Sequence, residues 1–139
     1  FHVDGVTKLT EAALKEGWAR YLSKKVYLRG YCITPGVSLI KNDGCVKLCA
    51  RILLHKGALD DCVKWPFQHN VSLCVVNPKD GSKRQYVGAP LDLRRSVQKP
   101  TEMKNNAYVF DKNPLNLNEL IDGGFVENDR LLVRWALNP

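Results

Sequence analysis

The stretch Val46-Lys47-Leu48-Cys49-Ala50-Arg51-Ile52-Leu53-Leu54 decides the fold class. Val46, Leu48, Ala50, Ile52 and Leu54 alternate with Lys47, Cys49, Arg51 and Leu53. A period of two sends alternate side chains to opposite faces of an extended strand, so this segment reads as a strand with one face buried. The pattern returns twice. Val71, Leu73 and Val75 alternate with Ser72 and Cys74, and Leu131, Val133, Trp135 and Leu137 alternate with Leu132, Arg134 and Ala136. One buried face and one freer face is the habit of antiparallel sheets. Shorter strand candidates lie at residues 1–6, 26–33, 37–40, 84–87 and 108–110. Asn42-Asp43-Gly44 and Asn77-Pro78-Lys79-Asp80-Gly81 separate neighbouring strands and carry hairpin chemistry, with glycine free to take positive φ. Seven or eight short strands at this spacing predict an antiparallel β-sandwich.

Two segments read as helical. Residues 9–21 place Leu9, Ala13, Trp18 and Tyr21 near helical spacing, with Gly17 as a weak point. Further on, Asn113 is a capping residue and Pro114 fits the first helical position. Leu115, Leu117, Leu120 and Ile121 follow, and Gly123-Gly124 ends the segment. The expected fold is therefore all-β, an antiparallel sandwich with one or two short helices.

Composition narrows the function. With 139 residues, 45% apolar and 25% charged, the chain predicts a single domain over residues 1–139 and excludes disorder, collagen and a coiled-coil rod. No apolar run approaches the roughly 20 residues of a bilayer-spanning helix, so no membrane insertion is expected. The chain opens at Phe1 rather than Met, which reads as the C-terminal part of a longer protein. Lys and Arg number 21 against 14 Asp and Glu, a net charge of +7 that favours acidic partners. The cations come in pairs (Lys24-Lys25, Lys83-Arg84, Arg94-Arg95) rather than in a basic tail.

The five cysteines at 32, 45, 49, 62 and 74 are odd in number, lack a C-x-x-C and leave residues 75–139 without one. That usage predicts reduced thiols in the cytoplasm, mostly as small core residues. The spacing, together with the scattered His2, His55 and His69, speaks against zinc. No metal and no cofactor are expected. Nor does the sequence contain G-x-S-x-G, a phosphate-cradling glycine loop or H-E-x-x-H. Cys62 with His69, and Asp60 with Asp61, are pairs lacking a third partner. They read as a core cysteine, a surface histidine and a solvated turn, so no enzyme is expected.

Cys62-Val63-Lys64-Trp65-Pro66-Phe67, ahead of an alternating strand, resembles the meprin-and-TRAF-homology (MATH) domain, in particular the C-terminal domain of tumour-necrosis-factor-receptor-associated factors (TRAFs). His55-Lys56-Gly57, separated by seven residues from Trp65-Pro66-Phe67, is similar to the family's link between two core strands. Gln98-Lys99-Pro100 resembles its Gln-Arg-Pro step. Phe125-Val126-Glu127-Asn128-Asp129-Arg130-Leu131-Leu132-Val133-Arg134 resembles its closing turn and final strand. Residues 23–27 match an early strand more loosely. The resemblance implies an eight-stranded antiparallel sandwich.

For function it implies a non-catalytic adaptor that binds short extended peptides of receptor tails or signalling proteins along a sheet edge. A homotrimer would form through an upstream coiled coil, giving avidity from weak contacts. The alternative is a MATH substrate-recruitment module of a ubiquitin ligase adaptor or deubiquitinase. Direct nucleic-acid binding through the net charge ranks last.

By position in the family, the peptide-binding edge is about residues 104–110, with Lys104, Asn106, Ala107 and Tyr108 at contacting positions and Ser96 left as the one serine of a loop that reads Arg94-Arg95-Ser96. An Arg and, two residues on, a Tyr that many members aim at the peptide are here Gly36 and Ser38. Arg51 takes a position where the family usually has an aromatic. Arg51, Arg94, Arg95 and Lys104 are therefore expected to form a basic pocket for an acidic or phosphorylated peptide residue.

Overall fold

The computed structural model describes residues 1–90 and 95–138, Arg95 by its backbone alone. Ten strands and two helices follow one another among these residues: β1 (His2–Asp4), α1 (Val6–Glu16), β2 (Trp18–Leu22), β3 (Val26–Leu28), β4 (Tyr31–Asn42), β5 (Cys45–His55), β6 (Val71–Val76), β7 (Lys83–Gly88), β8 (Tyr108–Asn116), α2 (Leu117–Asp122), β9 (Val126–Glu127) and β10 (Arg130–Leu137). One sheet has the order β1-β10-β6-β7, with β9 also on β10. The other has the order β2-β4-β5-β8, with β3 also on β4. Every strand pairing is antiparallel. The expected all-β sandwich is what the chain forms, with more strands than the expected eight because β1, β3 and β9 are very short.

The alternating stretch becomes β5. Leu48, Ile52 and Leu54 are fully buried, and Leu39 and Ile33 of β4 share their face. From the other sheet Leu73, Val75, Leu131 and Val133 close the core. Each such side chain contributes about 1.5–3 kcal/mol by leaving water, before the entropy of ordering it is counted.

Four readings of the sequence are corrected. Residues 18–21 are not helical. Gly17 takes the left-handed conformation (φ 92°), its N–H closes α1 on the Ala13 carbonyl, and the chain leaves as β2. The candidates at 26–33 and 37–40 are a short β3 and one long β4 that runs through Pro35. Proline is tolerated there because an antiparallel residue points its N–H and C=O to the same side. The Pro35 carbonyl accepts from Ser23 N (2.9 Å), so the missing N–H faces the gap between β2 and β3. Asn113-Pro114 does not start a helix but belongs to β8, an edge strand, where a lost donor costs little. Residues 111–114 bulge out opposite Cys49, between the Ala50–Phe110 and Leu48–Leu115 pairs. The cap of α2 is Asn116, whose side-chain oxygen accepts from Asn118 N and Glu119 N. Finally, only Cys32 and Cys49 are fully buried, Cys62 is exposed, and all five thiols are free.

The segment between β5 and β6 plugs one end of the sandwich. Phe67 is fully buried, and the Tyr31 ring meets Trp65, Phe67 and His69 edge-on at 5.1, 5.0 and 5.6 Å. The Tyr31 hydroxyl donates to the Lys64 carbonyl, and Trp65 Nε1 to the Asp60 carbonyl (2.8 Å). Gly57 is required because a Cβ there would stand 2.8 Å from Cys32 Cβ. The motif that carried the family resemblance is thus a structural plug.

Candidate functional site

Among the described strands, β8 is the edge of the second sheet and pairs with β5 alone. The chain before it already follows β5. The Met103 carbonyl accepts from Lys56 N (2.9 Å), Lys104 bridges His55, and Asn105 N donates to the Leu54 carbonyl (2.9 Å). Residues 103–110 therefore form one edge, as expected for 104–110. Its far end is closed where the Tyr86 hydroxyl, from β7, donates to the Phe110 carbonyl (3.0 Å).

Ser96, Lys104 and Asn106 gather with Thr101, Glu102 and Asn105 around a pocket of about 260 Å³. The positioning residue is Asn105, whose Nδ2 donates to the carbonyls of Ser96 (3.1 Å) and Gln98 (2.7 Å) and so holds that loop against the edge. Its side-chain role was not read from the sequence, because both acceptors are main-chain atoms. Ala107 lies half-buried on the same edge. Tyr108 turns inward: its side chain is 6% exposed and its ring packs on Phe110 at 4.8 Å.

Of the four cations expected to share a pocket, Arg51 and Lys104 can be placed, and they lie apart. Arg51 lies on the outer face of β5, four residues from His55, the partner of Lys104. That is about 13 Å along the strand. Arg94 and the side chain of Arg95 lie outside the described residues. Arg51 instead has Arg20 of β2 for a charged neighbour. Burial depresses the Arg51 pKa first, and the Arg20 charge depresses it further. Lys104 joins Lys25 around His55, whose pKa is lowered by burial and then by those two charges, and whose Nε2 lies 2.7 Å from Thr34 Oγ1.

Between the arginines the sheet surface is small. Arg20 pairs with Ser38, Ser38 with Cys49, and Gly36 with Arg51. Ser38 is 3% exposed, and both its Oγ and Arg51 Nε are buried without a hydrogen-bond partner. Gly36 has no space for a side chain, since a Cβ would stand 2.7 Å from the Tyr21 carbonyl oxygen. The absence of the family's arginine there is thus built into the contact between β2 and β4.

These features define a class: a two-sheet antiparallel sandwich with an open edge strand and a basic outer face. The family model for the TRAF/meprin MATH domain matches residues 22–134, and the chain belongs to that family. Among curated proteins, TNF receptor-associated factor 6 of Danio rerio is 31% identical over 84 residues, which cover 60% of this chain and 16% of that protein. The chain thus matches only a small part of this relative's length. Among solved structures, Notothenia coriiceps TRAF5 shares the fold with a TM-score of 0.74 at 20% identity, over 100% of this chain and 72% of that one. Among the described residues no helix is long and apolar enough to cross a membrane.

Proposed function

We propose that residues 1–139 form one non-catalytic protein-interaction domain that binds short extended peptides along the edge formed by residues 103–109. The observation that carries this reading is that, among the described strands, this edge pairs with β5 alone and has the pocket of Ser96, Lys104 and Asn106 beside it. A peptide laid antiparallel or parallel there gains main-chain hydrogen bonds, while alternate side chains fall over the pocket and the outer face. The domain acts as an adaptor for receptor tails or signalling proteins in the cytoplasm, and trimerises in its full-length protein through an upstream coiled coil. The family and the name of the curated relative support the adaptor part of this reading. The test is an array of peptides of about ten residues, each also made with single backbone N-methyl groups. Selective binding that is lost on methylating alternate residues is expected. Binding that tolerates every methylation overturns edge pairing.

A further inference from the structure

We propose that Arg20, Ser38 and Arg51 form an oxyanion subsite on the outer face of the second sheet, taking the carboxylate or phosphate of one residue of the bound segment. The inference rests on the edge-binding reading and names what that edge selects.

Three observations converge. First, two guanidinium groups are held as neighbours on strands β2 and β5, flanking the small residues of β4 between them. Like charges held together on a sheet repel, and among the described residues neither arginine has an ion pair with a carboxylate. Asp111 stands near Cys49 and pairs with neither. Second, Ser38 Oγ is buried on the outer face, not in the core, and has no partner. It lies across the ladder from Arg20 and diagonal to Arg51, within reach of both long side chains. Third, Arg51 Nε is a buried donor without an acceptor. Buried polar groups are almost always hydrogen-bonded. A hydroxyl and an Nε–H left open between two cations are donors that one oxyanion satisfies together, the guanidinium fork being suited to two oxygens.

The place is right for a peptide side chain. Arg51 pairs with Val109 of β8, so it stands one strand in from the open edge. A residue of an added strand that points to the outer face crosses β8 to reach it, about 10 Å in all, which Glu or a phosphorylated serine meeting a long arginine side chain can span.

The test has two arms on the intact chain. In the first, inorganic phosphate is titrated against chloride at equal ionic strength, and the melting temperature is followed. Phosphate raises it in the native protein and in Arg134→Gln, an exposed cation on the outer face of the other sheet. The rise is lost in Arg20→Gln and Arg51→Gln. In Ser38→Ala it shrinks without loss of basal stability, which a purely structural serine would not allow. An equal rise in all variants overturns the subsite. In the second arm, peptides carrying Glu, phosphoserine, Gln or Ser at each position are compared. Acidic forms at one position are preferred about tenfold over their neutral counterparts. Arg51→Gln removes the preference, bringing the acidic peptides down to the affinity of their neutral counterparts, and the ratio of Glu to phosphoserine identifies the source of the oxyanion. A preference that survives Arg51→Gln overturns the subsite. If no peptide binds, acidic or neutral, the edge reading fails, and the phosphate arm separately decides whether the three residues bind an anion.

Discussion

The thiol of Cys49 is fully buried on β5, opposite the bulge at residues 111–114. Burial, and then the charge of Asp111, push its pKa from 9.0 to about 12. The Tyr86 hydroxyl, bonded to the Phe110 carbonyl, rises from 10.0 to about 12, by burial first and then through Cys49, Asp111 and Tyr108. Both groups stay protonated in the folded chain where the unfolded chain has released the proton. Their contribution is whole below the unfolded values and is lost as pH climbs from about 9 towards 12. Urea midpoints are expected to fall steadily above pH 9, and Cys49→Ala to flatten the first part of that fall; a variant with the native slope would refute the assignment. Gly36 supports a second prediction. Gly36→Arg supplies the family's residue type but forces a Cβ to within 2.7 Å of the Tyr21 carbonyl oxygen, a backbone atom in a paired strand. Overpacking of this kind costs about 1–3 kcal/mol, read as a lower urea midpoint. A variant as stable as the parent would show that β2 gives way.

The N-terminus of α1 shows what elements borrow from distant chain. Gly5 occupies its cap position in the left-handed conformation and offers no side chain. The cap comes from the tight turn between β9 and β10: Val6 N donates to the Asp129 carbonyl (3.0 Å), while Thr7 N (2.7 Å) and Thr7 Oγ1 (2.6 Å) donate to Asp129 Oδ1. Losing a capping oxygen costs about 0.5–2 kcal/mol, so Asp129→Ala should lower the thermal midpoint well beyond Asp129→Asn. The asparagine keeps an acceptor and tolerates the positive φ of 60° at this position. Equal losses in the two variants would mean that backbone conformation, not capping, is what matters. No local pattern could reveal this cap, because its donor and acceptor are 122 residues apart. The long strands were legible for the opposite reason: alternation in β5, β6 and β10 is a local property with a direct structural cause. Residues 18–21 were misread because Trp18 and Tyr21 also suit helical spacing, and Gly17 alone marks the change. That misreading hid part of the site. With residues 18–21 read as helix, Arg20 has no place beside Ser38, and the expected pocket of Arg51, Arg94, Arg95 and Lys104 leaves it out. Ser96, Lys104, Asn106 and the edge itself were legible through the family pattern, whereas the inward turn of Tyr108 was decided by packing against Phe110.

At the scale of the whole molecule, neither sheet is a continuous piece of chain. β1 enters one sheet, β2 to β5 build the other, β6 and β7 return to the first, β8 edges the second, and β9 with β10 complete the first. The first strand pairs with the last, His2 against Leu132, so the first sheet is incomplete until nearly the whole chain is in place. Phe1 adds to this closure, stacking on Tyr21 of the second sheet while its amino group donates to the Val133 carbonyl (2.7 Å). Both sheets share one core, in which Leu48 and Ile52 face Leu73 and Val133, so opening one strips the apolar cover from the other. Removing either face exposes several side chains worth about 1.5–3 kcal/mol each, which a domain stabilised by roughly 5–15 kcal/mol cannot survive. Unfolding is therefore all-or-none. The tryptophans provide the reporters: Trp18 is exposed on β2 of the second sheet, and Trp135 is packed against the core on β10 of the first. Single-tryptophan variants retaining one or the other should give the same urea midpoint and slope. Separate midpoints would show that the sheets part independently, and a peptide seated on the β8 edge would then steady only its own sheet. With one shared transition, every partner bound at the edge stabilises the entire domain, β1 and the β9–β10 turn included, by mass action.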